Sequence, residues 1–254
     1  MKIPRSHPRY RSLRTRERLV NAYRSGILAP EGLIAHGRGE AFDYLLGEES
    51  PAPALVAERT AAAYLLEAKR PVISVNGNVA VLAAKEIARL ARSTSAAVEV
   101  SLFHRTEARV AMIVRLLRAA GVDNPLGLRP DARIPGLESA RGRCARRGIF
   151  SADVVLIPLE DGDRAEALGR MGKKVLAVDL NPLSRTSQAA TVSITDEVVR
   201  ALANVDRFVE ELRGAPAERR RLLQVYRRDR NLAAIHAFLS WRLTALQRVR
   251  RRRR

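Results

Sequence analysis

Three features of this 254-residue chain predict an α/β fold, a Rossmann-like parallel sheet flanked by helices. First, short apolar runs recur along it: PVISV (71–75), AVEVSLF (97–103), VVLIP (154–158), VLAVDL (175–180) and ATVSIT (190–195). Their apolarity is continuous and does not alternate, the pattern of strands buried on both faces. Second, helix-forming segments separate most of the runs, which gives βαβ units. Third, the runs break into polar clusters, and in open α/β sheets ligands bind beyond the carboxyl ends of the strands. An N-terminal helical segment and C-terminal helices complete a single domain over 1–254. It divides into a helical and glycine-loop segment (1–50), a Rossmann-like core (71–196), C-terminal helices (197–247) and a basic tail (248–254).

Taken in order, the chain opens with a proline-punctuated arm and an amphipathic helix from about Ser12, with Leu13, Leu19, Val20 and Tyr23 on one side and Gly26 as its stop. Gly37 and Gly39 then bracket Arg38, which predicts a tight loop presenting a guanidinium, with a helix starting at Glu40. Pro51 and Pro53 mark a joint before a helix over 54–68, rich in Ala, Leu and Glu. Strand 71–75 ends in Asn76-Gly77-Asn78, which is turn chemistry as well as a ligand-facing edge. Helix 79–92 leads to strand 97–103, which ends in His104 and Arg105, and helix 107–120 is closed by Gly121. The stretch 122–150 is rich in Pro, Gly and Arg and predicts a long basic loop, either a lid over anionic ligands or a solvated segment. A helix from Arg164 to Arg170 links the two central strands, and after the fifth strand Asp196 and Glu197 open a helix through Leu212. Two more helices are predicted over 216–231 and 232–250.

Composition excludes several classes. No apolar stretch is long enough to cross a bilayer, and no signal-peptide core follows the basic start, so a soluble, intracellular protein with no membrane partner is expected. A single cysteine, Cys144, rules out an internal disulfide and any multi-cysteine zinc site, and the four histidines are scattered. The formal charge of +19 calls for an anionic partner or an Arg-rich solvated surface. Nucleic acid fits poorly, because aromatics are only 4% and no helix-turn-helix, RNP or zinc signature is present.

The polar clusters supply the chemistry. Glu160, Asp161 and Asp163 follow one strand, where Asp161 and Asp163 are candidate Mg²⁺ ligands or a helix cap. Asp179 and Asn181 end the next strand, placed to accept from a ribose or a base, with Ser184, Arg185 and Thr186 just beyond. Neither phosphate-binding loop of the common kinds is present. Gly172-Lys173-Lys174 lacks both the earlier glycine and the following Ser/Thr of a Walker A loop, and Gly37-Arg38-Gly39 has Phe42 where a dinucleotide fingerprint needs its third glycine.

The blocks IPRSHPRY, GLIAHGRGEAFDYLLGE, PVISVNGN, RIPGLES, ADVVLIPLEDGDRAEALGRMGKKV and VDLNPLSRTSQ, in this order along almost the whole chain, resemble the archaeal 4-phosphopantoate–β-alanine ligase family, also called archaeal phosphopantothenate synthetase. The resemblance implies a cytoplasmic homodimer of coenzyme A biosynthesis that uses ATP and Mg²⁺. It would condense 4-phosphopantoate with β-alanine through an acyl adenylate, releasing pyrophosphate and AMP, with no nucleic acid required. A pantoate kinase or a basic nucleic-acid-binding protein are the alternatives. By the same resemblance Arg16 and Arg38 match positions that contact ATP phosphates. Asp179, Leu180, Asn181, Ser184, Arg185 and Thr186 match the nucleotide run, and Asp196 and Glu197 fall at the next strand end. Arg38 and His36 are the catalytic candidates, and Asn76 and Arg105 the candidates for the organic substrates.

Overall fold

The computed structural model describes residues 3–251. Three helices precede the sheet: α1 (Tyr10–Arg24), α2 (Pro30–Leu46) and α3 (Ala52–Glu67). The core then runs β1 (Pro71–Val75), α4 (Gly77–Thr94), β2 (Ala97–Val100), α5 (Glu107–Ala119), the short strands β3 (Ala132–Arg133) and β4 (Arg143–Cys144), β5 (Val154–Pro158), α6 (Gly162–Arg170), β6 (Lys174–Val178), α7 (Arg185–Ala189) and β7 (Val192–Ile194). Helices α8 (Val198–Leu212), α9 (Pro216–Val225) and α10 (Arg228–Arg251) close the described chain. No helix among the described residues is long and apolar enough to cross a membrane.

All five expected strands are present. They form one parallel sheet in the order β2-β1-β5-β6-β7, with Val72 opposite both Ala97 and Val155 and Leu176 opposite both Leu156 and Val192. Period-two alternation sends Ile73, Val75, Leu156 and Val178 into the larger core, under α3, α4, α5 and α8, and Val72, Val155, Ile157 and Ala177 into the smaller one, under α6. Burial on both faces is why these runs are apolar throughout. The order is that of a doubly wound flavodoxin-like sheet, whose direction of winding reverses between β1 and β5.

Four expectations need correction. The glycine loop at 37–39 does not exist: Gly37, Arg38 and Gly39 lie inside α2, which starts at Pro30. Proline at the first helical turn and the Ala/Leu/Glu content carry the helix through its glycines. The basic stretch 122–150 is neither a free lid nor a solvated loop. Its antiparallel β3–β4 ribbon buries Ile134, Leu137, Cys144 and Ile149 in the smaller core. Beneath it the buried Glu99 carboxylate accepts the backbone N–H groups of Ala145 and Ile149, both at 2.7 Å. Helix α7 was not anticipated, and the last two helices meet at Tyr226 and Arg227, not near residue 231. The side chains of the basic tail lie outside the described residues.

Candidate functional site

Helix α2 lies across the carboxyl edge of the sheet. Near its start, Asn78 after β1 donates to the Gly32 carbonyl at 2.9 Å. A Cβ on Gly32 would come within 2.5 Å of the Asn78 Oδ1, so glycine there permits the contact. Two turns on, Gly39 sits against Leu180 after β6, and Arg38 acts electrostatically on Asp179 at the β6 end. One further turn brings Asp43 onto Arg200, at 2.5 Å, and Arg200 in turn grips Asp196 after β7 at 2.6 Å. The spacing is that of the sheet: seven helical residues rise about 10.5 Å, close to two strand separations of about 4.8 Å.

Under the first half of α2 a cleft of about 330 Å³ opens beyond β1, β2 and β5, at the switch in winding. Arg38 lines it from α2, Asn76 to Asn78 from the α4 start, His104 and Arg109 from the α5 side, and Leu159 and Asp161 from the end of β5. Leu159 holds a left-handed φ of 53°. Its N–H donates to Val178 O at 2.9 Å and its carbonyl accepts from Asn76 Nδ2 at 2.7 Å, so a costly conformation is pinned from both sides in the cleft wall.

The β6 run is a compact backbone cradle. Asp179 accepts from the Asn181 N–H at 2.9 Å and from the Ser184 hydroxyl at 2.5 Å, and burial raises its pKa against those bonds and the nearby Arg38. Ser184 caps α7 by accepting from the Ser187 N–H, and Thr186 donates to the Glu160 carbonyl at 2.7 Å, tying this turn to the β5 end. Leu180 and Thr186 are buried, and Arg185 points outward and pairs with Glu166. At the neighbouring β7 end, Glu197 caps α8 through the N–H groups of Val199 and Arg200, and burial raises its pKa against those bonds. Buried Asp196 accepts from the Ser50 hydroxyl and from Arg200.

The sequence candidates therefore fall into separate groups. Arg38 and Asn76 line the cleft, and Asp179, Leu180, Asn181, Ser184 and Thr186 adjoin it through α2 and the β5 end. His36 is not in the cleft wall. It stands on another face of α2 near Glu40, which binds Arg16 at 2.5 Å, the Ser12 hydroxyl at 2.5 Å and the Tyr44 hydroxyl at 3.1 Å. Burial, with Arg16 nearby, lowers the His36 pKa. Arg105 is also away from the cleft wall and donates to the Gly127 carbonyl. Asn76 spends its side chain on structure, accepting from the Val79 N–H at 3.1 Å and donating to Leu159.

Asp161 and Asp163 do not form a ready metal site. Arg141, from the turn between β3 and β4, places Nη1 against Asp161 Oδ2, 3.4 Å from Glu160 and 3.9 Å from Asp163, so a guanidinium already answers their charge. No cluster of three or more ligating His, Cys, Asp or Glu occurs among the described residues. Arg141 also stacks over the Phe103 ring at 4.6 Å and so closes the far rim of the cleft.

Sequence reasoning missed Arg109, Gly32, Asp43 and Arg200. The first differs from its neighbour Arg105 only in where packing sends it, and the last two are joined across 157 residues.

Residues 53–241 match the family described as phosphopantothenate/pantothenate synthetase. The chain is 60% identical over 210 residues to the 4-phosphopantoate–β-alanine ligase of Methanospirillum hungatei, covering 83% of this chain and 86% of the relative. It is 51% identical over 232 residues to the enzyme of that name from Methanosarcina mazei, covering 91% of each, and 48% identical over 248 residues to that of Thermococcus onnurineus, covering 97% and 95%. Matches of this extent along nearly the whole length settle the family: the chain belongs to the phosphopantothenate/pantothenate synthetases.

Proposed function

We propose that this protein is an ATP-dependent ligase that joins 4-phosphopantoate to β-alanine, forming 4'-phosphopantothenate, AMP and pyrophosphate in coenzyme A biosynthesis. The observation that carries the reading is the continuity of the Arg38 cleft with the Asp179–Thr186 cradle under one helix. Two anionic substrates must meet at one phosphorus atom, and this edge offers adjoining places for them.

In this reading a carboxylate oxygen of 4-phosphopantoate attacks the α-phosphorus of ATP. The bond to the bridging oxygen breaks, pyrophosphate leaves with the electron pair, and an acyl adenylate remains. The β-alanine amine then attacks the acyl carbon, AMP departs, and the amine nitrogen loses its proton to solvent. Displacement at phosphorus is catalysed mainly by positioning and charge neutralisation, which is work for guanidinium groups and backbone N–H groups. Arg38 stands between the cleft and Asp179 and takes the phosphoryl charge. The Asp179–Asn181 turn and the α7 start hold the nucleotide largely by backbone, since Asp179, Ser184 and Thr186 are engaged with one another and with the main chain. Asp196 and Glu197 support that site from β7. His36 on the far face of α2 and Arg16 on α1 beside it serve the ATP phosphates only at a distance or from a second copy. Mg²⁺ arrives with the triphosphate, since the Arg141 guanidinium stands against Asp161 and near Asp163.

A cytoplasmic homodimer is part of the proposal. Ile34 on α2, Val56 on α3 and Trp241 on α10, exposed by 72%, 52% and 63%, supply apolar surface that a second copy would cover.

The test is product analysis with ATP, Mg²⁺, 4-phosphopantoate and β-alanine, repeated without each organic substrate. AMP, pyrophosphate and 4'-phosphopantothenate appearing together only in the full mixture are expected. ADP in place of AMP would move the protein to phosphotransfer, and no nucleotide product would overturn the reading.

A further inference from the structure

The β3–β4 ribbon at the far rim of the cleft carries more positive charge than its contacts use. Between residues 129 and 147 six arginines stand against two carboxylates, Asp131 and Glu138. Arg141 is answered by Asp161. Arg133 and Arg143 are both exposed and stand directly opposite each other across β3 and β4, so their side chains leave the same face of the ribbon. Like charges in that register oppose formation of the ribbon. Arg133 donates to the Glu138 and Ser139 carbonyls, the second at 3.4 Å, and not to the Glu138 carboxylate. Arg105, just beyond β2, donates to the Gly127 carbonyl, and burial followed by the Arg143 charge lowers its pKa, against Glu99 and Glu107. Among the described residues no ion pair joins Arg105, Arg133 or Arg143 to a carboxylate. The three adjoin the cleft: Arg141 and His104 line it, and Arg143 and Arg105 are the next basic residues along the chain from each. Two residues separate Arg143 from Arg141, so their α-carbons are no more than about 7 Å apart.

From this juxtaposition, and resting on the ligase reading above, we propose that Arg105, Arg133 and Arg143 form a collecting surface that draws the anionic substrates to the cleft mouth without touching them once bound. A carboxylate and a phosphate on one substrate and a triphosphate on the other make both strongly anionic. A basic rim that no carboxylate neutralises raises the local concentration of each. β-Alanine is a zwitterion without net charge at neutral pH and gains nothing. Coulomb's law sets the size of the effect. A guanidinium about 10 Å from a trianion in water raises its affinity about fivefold at about 0.01 M salt, where the Debye length is about 30 Å, and less than about twofold at about 0.15 M, where it is about 8 Å. The fold bears the facing Arg133–Arg143 pair as the cost, since a neutral residue at either position would relieve the ribbon.

The experiment measures kcat and KM for each substrate in wild type, Arg143→Ala and Arg143→Lys at ionic strengths from about 0.01 to about 0.3 M. In Arg143→Ala kcat should be unchanged, while kcat/KM at about 0.01 M should fall about fivefold for 4-phosphopantoate and about threefold for the dianionic Mg²⁺ complex of ATP. Both should lie within about twofold of wild type at about 0.15 M, and the values for β-alanine should not move at any ionic strength. Arg143→Lys keeps the charge and should keep the wild-type profile. The Tm of Arg143→Ala at low salt should equal or exceed that of wild type, because the facing charge is gone; a lower Tm would show that Arg143 is paired and overturns the proposal. A kinetic loss of equal size at every ionic strength, as a direct contact would give, also overturns it. So does a loss for β-alanine, or no loss at low salt, as a merely solvated surface would give. Should Arg143→Ala fail to fold, Arg133→Ala relieves the same pair and is read in the same way. Failure of the ligase reading shows separately, as a wild type that makes no AMP in the full mixture. Calorimetric titration with inorganic triphosphate then compares wild type with Arg143→Ala without turnover, and equal affinities at low salt refute the collecting surface.

Discussion

Glu58→Gln should stabilise the protein at neutral and alkaline pH and leave it unchanged in mild acid. Glu58 lies in the Ala-rich α3, fully buried, and neither of its carboxyl oxygens makes a hydrogen bond. Burial, reinforced by the neighbouring Asp196 carboxylate, pushes its pKa up to about 9 from an ordinary 4.5. The native state therefore keeps a proton that the unfolded chain gives up. Stability held with that proton is complete below about pH 4.5 and declines as pH rises towards 9, because every unit favours the unfolded state by about 1.4 kcal/mol. Glutamine has the shape of the protonated acid, can donate towards Asp196 and cannot ionise. The difference between variant and wild type should grow by about 4 kcal/mol from pH 5 to pH 8, on the order of 10 °C in Tm for a chain of this size. Thermal melts of both proteins in a buffer series measure it, and the other titrating groups cancel in the difference. A difference independent of pH, or one favouring wild type at pH 8, would show that Glu58 is ionised in the fold and refute the reasoning.

Other consequences follow from the same geometry. A Cβ at Gly148 would stand 2.1 Å from Glu99 Oε2 and 2.8 Å from Leu126 Cδ1, so Gly148→Ala should cost about 1–3 kcal/mol and lower Tm by several degrees in a thermal melt. Arg141→Ala leaves Asp161 and Asp163 without their guanidinium, while Glu160 keeps Arg164 at 2.7 Å; Tm should be insensitive to millimolar Mg²⁺ in wild type and Mg²⁺-dependent in the variant, and a wild type equally responsive would refute the assignment of their charge to Arg141. Asp179→Ala removes the acceptor that shapes the β6–α7 turn and should raise KM for ATP at least about tenfold with little change for β-alanine, as steady-state kinetics would read.

The sheet was legible because a strand buried on both faces must be apolar at every position, and PVISV and VVLIP have no other reading at that length. Helix α2 was not. Each glycine costs a helix about 1 kcal/mol relative to alanine, so Gly37-Arg38-Gly39 reads locally as a loop. Contacts far away in sequence reverse that reading, since Gly32 and Gly39 are where α2 touches Asn78 and Leu180. The same limit applies to side chains. Arg105 and Arg109 both follow β2, and packing sends the first to the Gly127 carbonyl and the second to the His104 and Ile27 carbonyls in the cleft wall. Glu58 looks like a surface residue in an alanine helix. Its burial depends on α8 and β7, which lie more than 130 residues further along.

Of these misread positions, Gly32 and Gly39 join α2 to the sheet edge. The helix is fixed at Gly32 by Asn78, at Gly39 by Leu180 and at Asp43 by Arg200, and Arg38 projects from the span between the first and last of these. A straight helix transmits displacement along its axis, and Arg38 is five residues, about 7.5 Å, from Asp43. Asp43 owes its place to Arg200, which also holds Asp196, and Asp196 is the carboxylate that adds to burial in keeping Glu58 protonated. Ionising Glu58 would set a second negative charge against Asp196 and draw Arg200 towards that pair, at the expense of its contact with Asp43. The buried proton on α3 and the guanidinium in the cleft are thereby parts of one support, and the alkaline limit on folding and that on the alignment of Arg38 should fall in the same pH range.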